Sequence, residues 1–410
     1  MAHTAPLPNR RTRLALVIEP VIGGAKRHVL DLLRGLDRQR FDLTLVYSAE
    51  RDAAFRDETR LLSASGVVCV EVPMVRQPSP LADLRALTQL IRLFQRSRFD
   101  LIHAHASKAG LLARVAAQFA GAPRVLYTPH VYAFTGRTGL PALAFRAAEA
   151  LAAPLATRTI ALTQPQADMA VRAGVARRRQ IVVIPNGLDA STWDHLSTPA
   201  QARTELGLDP AQPVIALAAR LEARKRVDIF ITAARHVLAA QPGVQFAIAG
   251  DGPERPALDT LRRRLGVESR VHLLGELTDT RALYAAADIV CLTSAAEGMP
   301  YALMEAMAAR KPIVATRVPG VEELVPNNAG LLVSTHAPDA FAQALLRLLA
   351  DPPLRARMGQ AGREHIETRW PLTRFIEAHT RLYERAIGAD SPLDAMDQIG
   401  HRAQPPAPST

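Results

Sequence analysis

Short runs of apolar and β-branched residues alternate with amphipathic stretches along almost the whole 410-residue chain. RLALVIE (13–19), DLTLVYS (42–48), GVVCVEV (66–72), FDLIHAH (99–105), RVLYTPH (124–130), RTIALT (158–163) and QIVVIP (180–185) predict strands. Stretches with helical spacing lie between them, at 25–36, 81–97, 108–120, 141–152 and 165–173. The pattern then restarts with strands at 213–220, 244–250, 270–276, 288–294, 311–316 and 330–335. Helices are predicted there at about 225–240, 254–265, 279–286, 301–309 and 337–350. Near-continuous apolar strands separated by helices predict a parallel sheet covered on both faces. Two such series predict an α/β chain with two doubly wound domains in tandem.

The boundary between the series falls in PNGLDASTWDHLSTPAQ (185–201), rich in Pro, Gly, Asn, Ser and Thr. It separates a first domain over 13–190 from a second over 191–370. Helical stretches at 352–367 and 371–387 follow, and residues 1–12 and 388–410 are expected to be disordered. Ligands of open parallel sheets bind beyond the carboxyl ends of the strands. The loops after each strand are therefore the places to look, and the two sets are expected to face one another across a cleft.

Composition narrows the classes. With 48% hydrophobic and 22% charged residues, the chain reads as globular and needs no disulfide framework. Its two cysteines, Cys69 and Cys291, both lie in apolar strand-like runs, which fits a reducing compartment and a cytoplasmic location. No apolar run reaches the ~18 residues of a membrane span, and MAHTAPLPNRRTR has no secretory h-region. The net charge of +11 favours anionic partners. Aromatic residues make up only 5% and do not cluster with basic ones, so a nucleic-acid platform is not expected.

Candidate chemistry sits in the loops after strands. Gly23 and Gly24 open the first helix, where glycine admits close backbone approach and helix N–H groups attract anions. Neither this loop nor AGDGPER (249–255) carries G-x-G-x-x-G, and each alone also fits a tight strand-to-helix turn. In AARLEARKRVD (218–228), Arg220 ends a strand and Lys225 is placed at a helix start, a spacing that lets two cations converge on a diphosphate. In TSAAEGMPYALMEAMAARKPIV (293–314), Glu297, Gly298, Met299 and Pro300 form a turn and Glu305 lies about one turn into the helix that follows. Two carboxylates there bracket whatever binds the helix N-terminus: N–H groups suit a phosphate, and a carboxylate suits vicinal hydroxyls.

EGMPYALMEAMA followed by TRVPGVEELV resembles the E-x7-E region of retaining glycosyltransferase family 4, and ARLEARKRVD, IAGDGPER, LLGEL and PNGLD resemble its other blocks in the same order. The likeness covers about 13–387. It implies the GT-B fold, two Rossmann-like domains facing a cleft, with the final helix crossing back to the first. It also implies a transfer from a nucleotide-diphosphate sugar, UDP- or GDP-linked, to a glycan or polyprenyl-pyrophosphate acceptor; with no D-x-D motif in a clear metal role, the transfer is expected to be metal-independent. On this resemblance Glu305 binds ribose hydroxyls. Glu297 binds the donor sugar, with Gly298, Met299 and Pro300 beside sugar and phosphate. Arg220 and Lys225 hold the diphosphate, and Gly23 and Gly24 close on the donor. LIHAHASKAGLLARVAA and YTPHVYAF resemble the branch that builds bacterial surface polysaccharides and lipid-linked glycans; His130 there is implied near the donor sugar. The chain departs from the family pattern at Arg310, where glycine is common, and at EGMP in place of an EGF-type turn.

The residues leave further readings open. His103 and His105 are read as pointing to opposite faces of their strand, with no third ligand, so no metal site is expected. Lys108 is a candidate contact to an anionic acceptor. Helix 81–98 carries Leu84, Leu87, Ile91 and Phe94 on one face and Arg85, Arg92 and Arg96 on another, which with Arg177–Arg179 suits peripheral docking to the inner face of an anionic membrane. Against the transferase stand a nucleotide-sugar epimerase of the same fold, a glycoside hydrolase using Glu297 and Glu305, and a non-catalytic sugar-nucleotide-binding protein.

Overall fold

Each apolar run expected to form a strand does so, usually trimmed by a residue or more at its ends. The computed structural model describes residues 10–334 and 337–388; the expected tail from 389 onward and residues 1–9 lie outside the described residues. Clustering of the chain gives two units: one takes the described residues up to Asn186 together with those from Leu372, and the other runs Gly187–Pro371.

In the first unit the strands are β1 (Thr12–Ile18), β2 (Phe41–Tyr47), β3 (Val68–Glu71), β4 (Leu101–His105), β5 (Val125–Thr128), β6 (Arg158–Ala161) and β7 (Ile181–Val183). Its helices before the linker are α1 (Gly23–Gly35), α2 (Phe55–Ala64), α3 (Pro80–Ser97), α4 (Ser107–Ala120), α5 (Gly139–Ala152) and α6 (Gln164–Arg172). The strands form one parallel sheet in the order β3-β2-β1-β4-β5-β6-β7.

The second unit holds α7 (Pro199–Glu205), β8 (Val214–Ala218), α8 (Val227–Ala240), β9 (Gln245–Ala249), α9 (Arg255–Arg264), β10 (Val271–Gly275), α10 (Arg281–Ala286) and β11 (Ile289–Leu292). It continues through α11 (Tyr301–Ala308), β12 (Ile313–Thr316), α12 (Pro319–Leu324), β13 (Gly330–Val333), α13 (Pro338–Ala350) and α14 (Pro352–Arg369). Its parallel sheet runs β10-β9-β8-β11-β12-β13. The last helix, α15 (Leu372–Ile387), belongs to the first unit.

Alternation along β1 shows why the sheet is covered twice. Leu14, Leu16 and Ile18 enter a core with Leu32 and Leu33 of α1, Phe55 of α2, and Phe375, Leu382 and Tyr383 of α15. Ala15 and Val17 point the other way, to Leu90 and Phe94 of α3 and Ala113 and Ala116 of α4. Successive side chains on a strand face opposite sides, so an unbroken apolar run fills two cores. α15 supplies large side chains to the first of them; burying each side chain of that size contributes about 1.5–3 kcal/mol.

The helix expected to dock on a membrane is corrected by this packing. Phe94 is core, and Leu87 and Ile91 pack partly buried against the same cluster. The apolar stripe of α3 is thus mostly its inward face; Leu81 and Leu84 alone among its large apolar residues are strongly exposed. Cys69 and Cys291 are both free thiols. Among the described residues no helix is long and apolar enough to cross a membrane.

Candidate functional site

The carboxyl ends of β8 and β11, neighbours in the second sheet, carry the loops with the predicted cations and carboxylates. The two loops are stitched together by their backbones: Ala295 N–H donates to the Arg224 carbonyl at 2.9 Å. The Thr293 hydroxyl donates to the Lys225 carbonyl at 2.9 Å. At this seam Lys225 Nζ meets Glu297 Oε1 at 2.5 Å. Arg224 stands 3.6 Å from Glu297 Oε2 and donates to the Ala296 carbonyl at 2.6 Å. Lys225 does not start the helix as expected. It ends a short 3-10 turn, Ala223–Lys225, and α8 begins two residues later after Arg226 in a left-handed conformation.

Only 6% of the Glu297 side chain is exposed. Burial pushes its carboxyl up, but the charges of Lys225 and Arg224 and the Lys225 hydrogen bond more than offset this, so the group is held below the usual carboxylate range. It is an ion at neutral pH, set just before Gly298, Met299 and Pro300, all buried. Pro300 is the N-cap of α11, with no side-chain cap and no acidic residue in the first turn, so the helix start presents its positive end. Glu305 lies in α11, where Thr280 donates to its Oε2 at 3.3 Å.

Arg220 and Lys225 are each paired with a carboxylate, Glu222 and Glu297, and are not bare cations. Arg220 Nε bonds Glu222 at 3.1 Å, while its side chain stays 34% exposed. The AGDGPER loop packs onto the Arg220 segment: Leu221 N–H donates to the Asp251 carbonyl at 2.9 Å, and Glu254 N–H to the Leu221 carbonyl at 2.9 Å. A Cβ at Gly250 or Gly252 would run into the Ala219 or Leu221 carbonyl, so these glycines serve close backbone approach.

In the first unit, Gly23 begins α1 with φ 57°, its missing Cβ facing open space, and no side chain caps the helix. Lys108, the expected acceptor contact, donates to Asp83 at 2.6 Å and to the Gln77 carbonyl at 3.1 Å. His130 has φ 57° after β5, and its ring packs on His28 with centroids 4.8 Å apart. The expectation for His103 and His105 is also corrected. Residues i and i+2 of a strand share a face, and the two rings lie 4.0 Å apart.

Residues 200–365 match the family described as "Glycosyl transferases group 1", and residues 22–192 match "Glycosyltransferase Family 4". The D-inositol 3-phosphate glycosyltransferase of Mycolicibacterium gilvum is 32% identical over 323 residues, 74% of this chain and 70% of that protein. The chain belongs to the family-4 glycosyltransferases. It is similar, at 27% identity over 89% of its length and 94% of the relative's, to the UDP-Gal:alpha-D-GlcNAc-diphosphoundecaprenol alpha-1,3-galactosyltransferase of Escherichia coli. Anabaena Alr3699/HepE in complex with UDP superposes with TM-score 0.75 at 25% identity, over 91% of this chain and 100% of that chain. The same protein with UDP-glucose gives TM-score 0.78 at 23% identity, over 92% and 100%. Both units thus have the Rossmann-like form of the GT-B glycosyltransferases.

Three residues of this candidate site escaped the sequence reading. Arg224 is the second cation on Glu297, and its only signal was its place in the basic run ARKR. Thr280, the N-cap position of α10, reaches Glu305 from the loop after β10. Gly320 lets the start of α12 rest on the carbonyls of Glu297 and Gly298, where any Cβ would collide with Gly298 O. At the family departure, Arg310 itself takes a left-handed φ of 57°.

Proposed function

We propose that the chain is a retaining transferase that moves a hexose or N-acetylhexosamine from a nucleotide-diphosphate sugar to a glycan carried on a polyprenyl diphosphate, in polysaccharide biosynthesis. The observation that carries this reading is the Lys225–Glu297 pair beside the uncapped start of α11. It sets a buried anion, two cations and a helix N-terminus within one loop seam. The likeness to a transferase named for UDP-Gal and a diphosphoundecaprenol acceptor supports a lipid-linked acceptor. That name and the UDP complex of HepE favour UDP over GDP.

In this reading Glu305 takes the ribose hydroxyls and Glu297 takes hydroxyls of the sugar. Lys225, Arg220 and the backbone of Gly298 to Pro300 receive the diphosphate, whose negative charge grows as the glycosidic C–O bond breaks. The acceptor hydroxyl attacks from the face the diphosphate leaves, and its proton passes to the departing phosphate oxygen. These groups supply the positive charge, so the proposed chemistry needs no metal. Gly23, Gly24 and His130 are proposed as donor contacts on the family resemblance alone.

A lipid-linked acceptor also fits peripheral attachment to an anionic membrane. The surface that supports it is α5 rather than α3: Leu140, Leu143 and Leu151 share one face and are 81%, 59% and 80% exposed, with Arg137 and Arg146 exposed nearby.

The test is transfer from labelled UDP and GDP sugars to a synthetic diphosphoundecaprenyl glycan, with the product anomer assigned by NMR. Retention with a UDP sugar is expected. Failure with every nucleotide sugar, epimerised donor without acceptor, or hydrolysis of glycans without nucleotide would each overturn the reading.

A further inference from the structure

His130 stands in a turn that a histidine adopts under strain. Val131 N–H donates back to the Pro129 carbonyl at 2.7 Å, and His130 between them has φ 57°. A positive φ at the centre of such a three-residue turn makes the rare form of the γ-turn. The ring packs in a cluster of histidine rings, with His28 at 4.8 Å and His105 at 5.5 Å between centroids, and His379 behind His28 at 5.4 Å. Strained backbone persists only where its surroundings hold it. Two contacts from other elements do so. The Ser107 hydroxyl oxygen accepts the Ala133 N–H at 3.3 Å. The second reaches His130 itself: Gln166 Nε2 donates to the His130 carbonyl at 2.8 Å.

Gln166 lies in the first turn of α6 and is only 7% exposed. Both ends of its amide are used. Oε1 accepts the Leu162 N–H at 2.7 Å, and with an N–H on one side and a carbonyl on the other, the amide can face only one way. Its own backbone N–H donates to Thr163 Oγ1, the N-cap of α6. Helix capping alone does not explain a glutamine here. A glutamate serves equally as the acceptor in a capping box, but an ionised carboxylate has no hydrogen to give the His130 carbonyl. We propose that Gln166 is a positioning residue for the transfer: it holds the γ-turn at His130, and through it the direction of the His130 ring. This rests on the reading of His130 as a donor contact. In that reading a ring displaced by about 1 Å lowers the rate on the order of 100-fold, while the nucleotide keeps its proposed contacts in the second unit. The loss should therefore fall on kcat and leave KM for the UDP sugar almost unchanged.

The experiment measures transfer by the full chain and its variants to the synthetic diphosphoundecaprenyl glycan. The donor is labelled UDP-galactose, UDP-glucose or UDP-N-acetylglucosamine, whichever the wild type uses fastest. Gln166→Met removes both side-chain hydrogen bonds. Gln166→Glu keeps the volume and the Leu162 contact, and so answers where the first variant does not fold. Each should lower kcat about 10–100-fold with KM almost unchanged. In a His130→Ala background, already impaired, neither should lower kcat further. In a crystal structure of Gln166→Glu the φ of His130 should leave the positive region, and that angle is read whatever the substrate proves to be. Thr163→Ala, which removes the N-cap of α6 but not the contact to His130, should lower the melting temperature and keep kcat. Four results overturn the inference alone: normal transfer by both Gln166 variants while His130→Ala is impaired, additive losses in the double variant, a His130 φ that stays positive, or an equal kcat loss in Thr163→Ala. Normal transfer by His130→Ala overturns the donor reading of His130 and the inference with it.

Discussion

The ammonium of Lys225 lies 2.5 Å from Oε1 of Glu297, and through that contact the loop after β8 holds the loop after β11. Removing one member of a nearly buried pair strands the other. Lys225→Met should therefore cost about 3 kcal/mol of stability, with Arg224 at 3.6 Å limiting the loss, and should abolish transfer. The double variant Lys225→Met with Glu297→Met should recover much of the stability and none of the activity. Urea unfolding beside a transfer assay separates the two roles; a double variant that transfers normally would remove both residues from the site.

The same pair sets a pH dependence. Glu297 ionises more readily folded than its ordinary value of 4.5, burial being outweighed by Lys225 and Arg224. A depressed carboxylate stabilises the fold fully above its unfolded value, and that contribution is lost as pH falls through the lowered folded value. Stability should thus decline below about pH 4.5, and the decline should be shallower in Glu297→Gln. Equal acid slopes in thermal melts of the two proteins would contradict this.

Gly320 is a support that touches no ligand in the proposed reaction. Gly320→Ala places a methyl against the Gly298 carbonyl, so either the turn or α12 must move. The variant should lose about 1–3 kcal/mol and most of its transfer activity, while secondary structure by circular dichroism stays the same. Unchanged kinetics would show that the Glu297–Pro300 turn tolerates displacement.

Arg310 carries a backbone conformation that glycine adopts freely. Arg310→Gly should gain about 1 kcal/mol. The lost contact to Asp194, at 3.6 Å, is weak, and Asp194 keeps Arg363 at 2.8 Å. Denaturant titration measures the gain; a loss of stability would mean that the arginine side chain matters more than its φ.

Strands such as β1 and β8 were legible because a sheet covered on both faces needs unbroken apolar runs, and little else in a soluble chain does. Not every helix was: α2 and α12 went unread although the six-residue α10 was placed at about 279–286, and α7 was taken for linker although Thr198 and Gln201 make a capping box that TPAQ spells out. Glu297, Lys225 and Glu305 stood out because turn chemistry and charge coincide there. The contact between the first two was not visible, since it depends on β8 and β11 being neighbours. The histidine cluster was hidden more deeply. His28, His105, His130 and His379 meet only through the strand order and the return of α15, and a misplaced strand face concealed even the local pair.

The account depends most on nucleotide-sugar binding at the head of α11. Calorimetric titration of UDP and of UDP sugars into the wild type and Glu305→Gln tests it most directly. The account predicts one site in the wild type and roughly 10–100-fold weaker UDP binding in the variant, the worth of hydrogen bonds to a charged group. Equal affinity in the two proteins, with both folded, would contradict it.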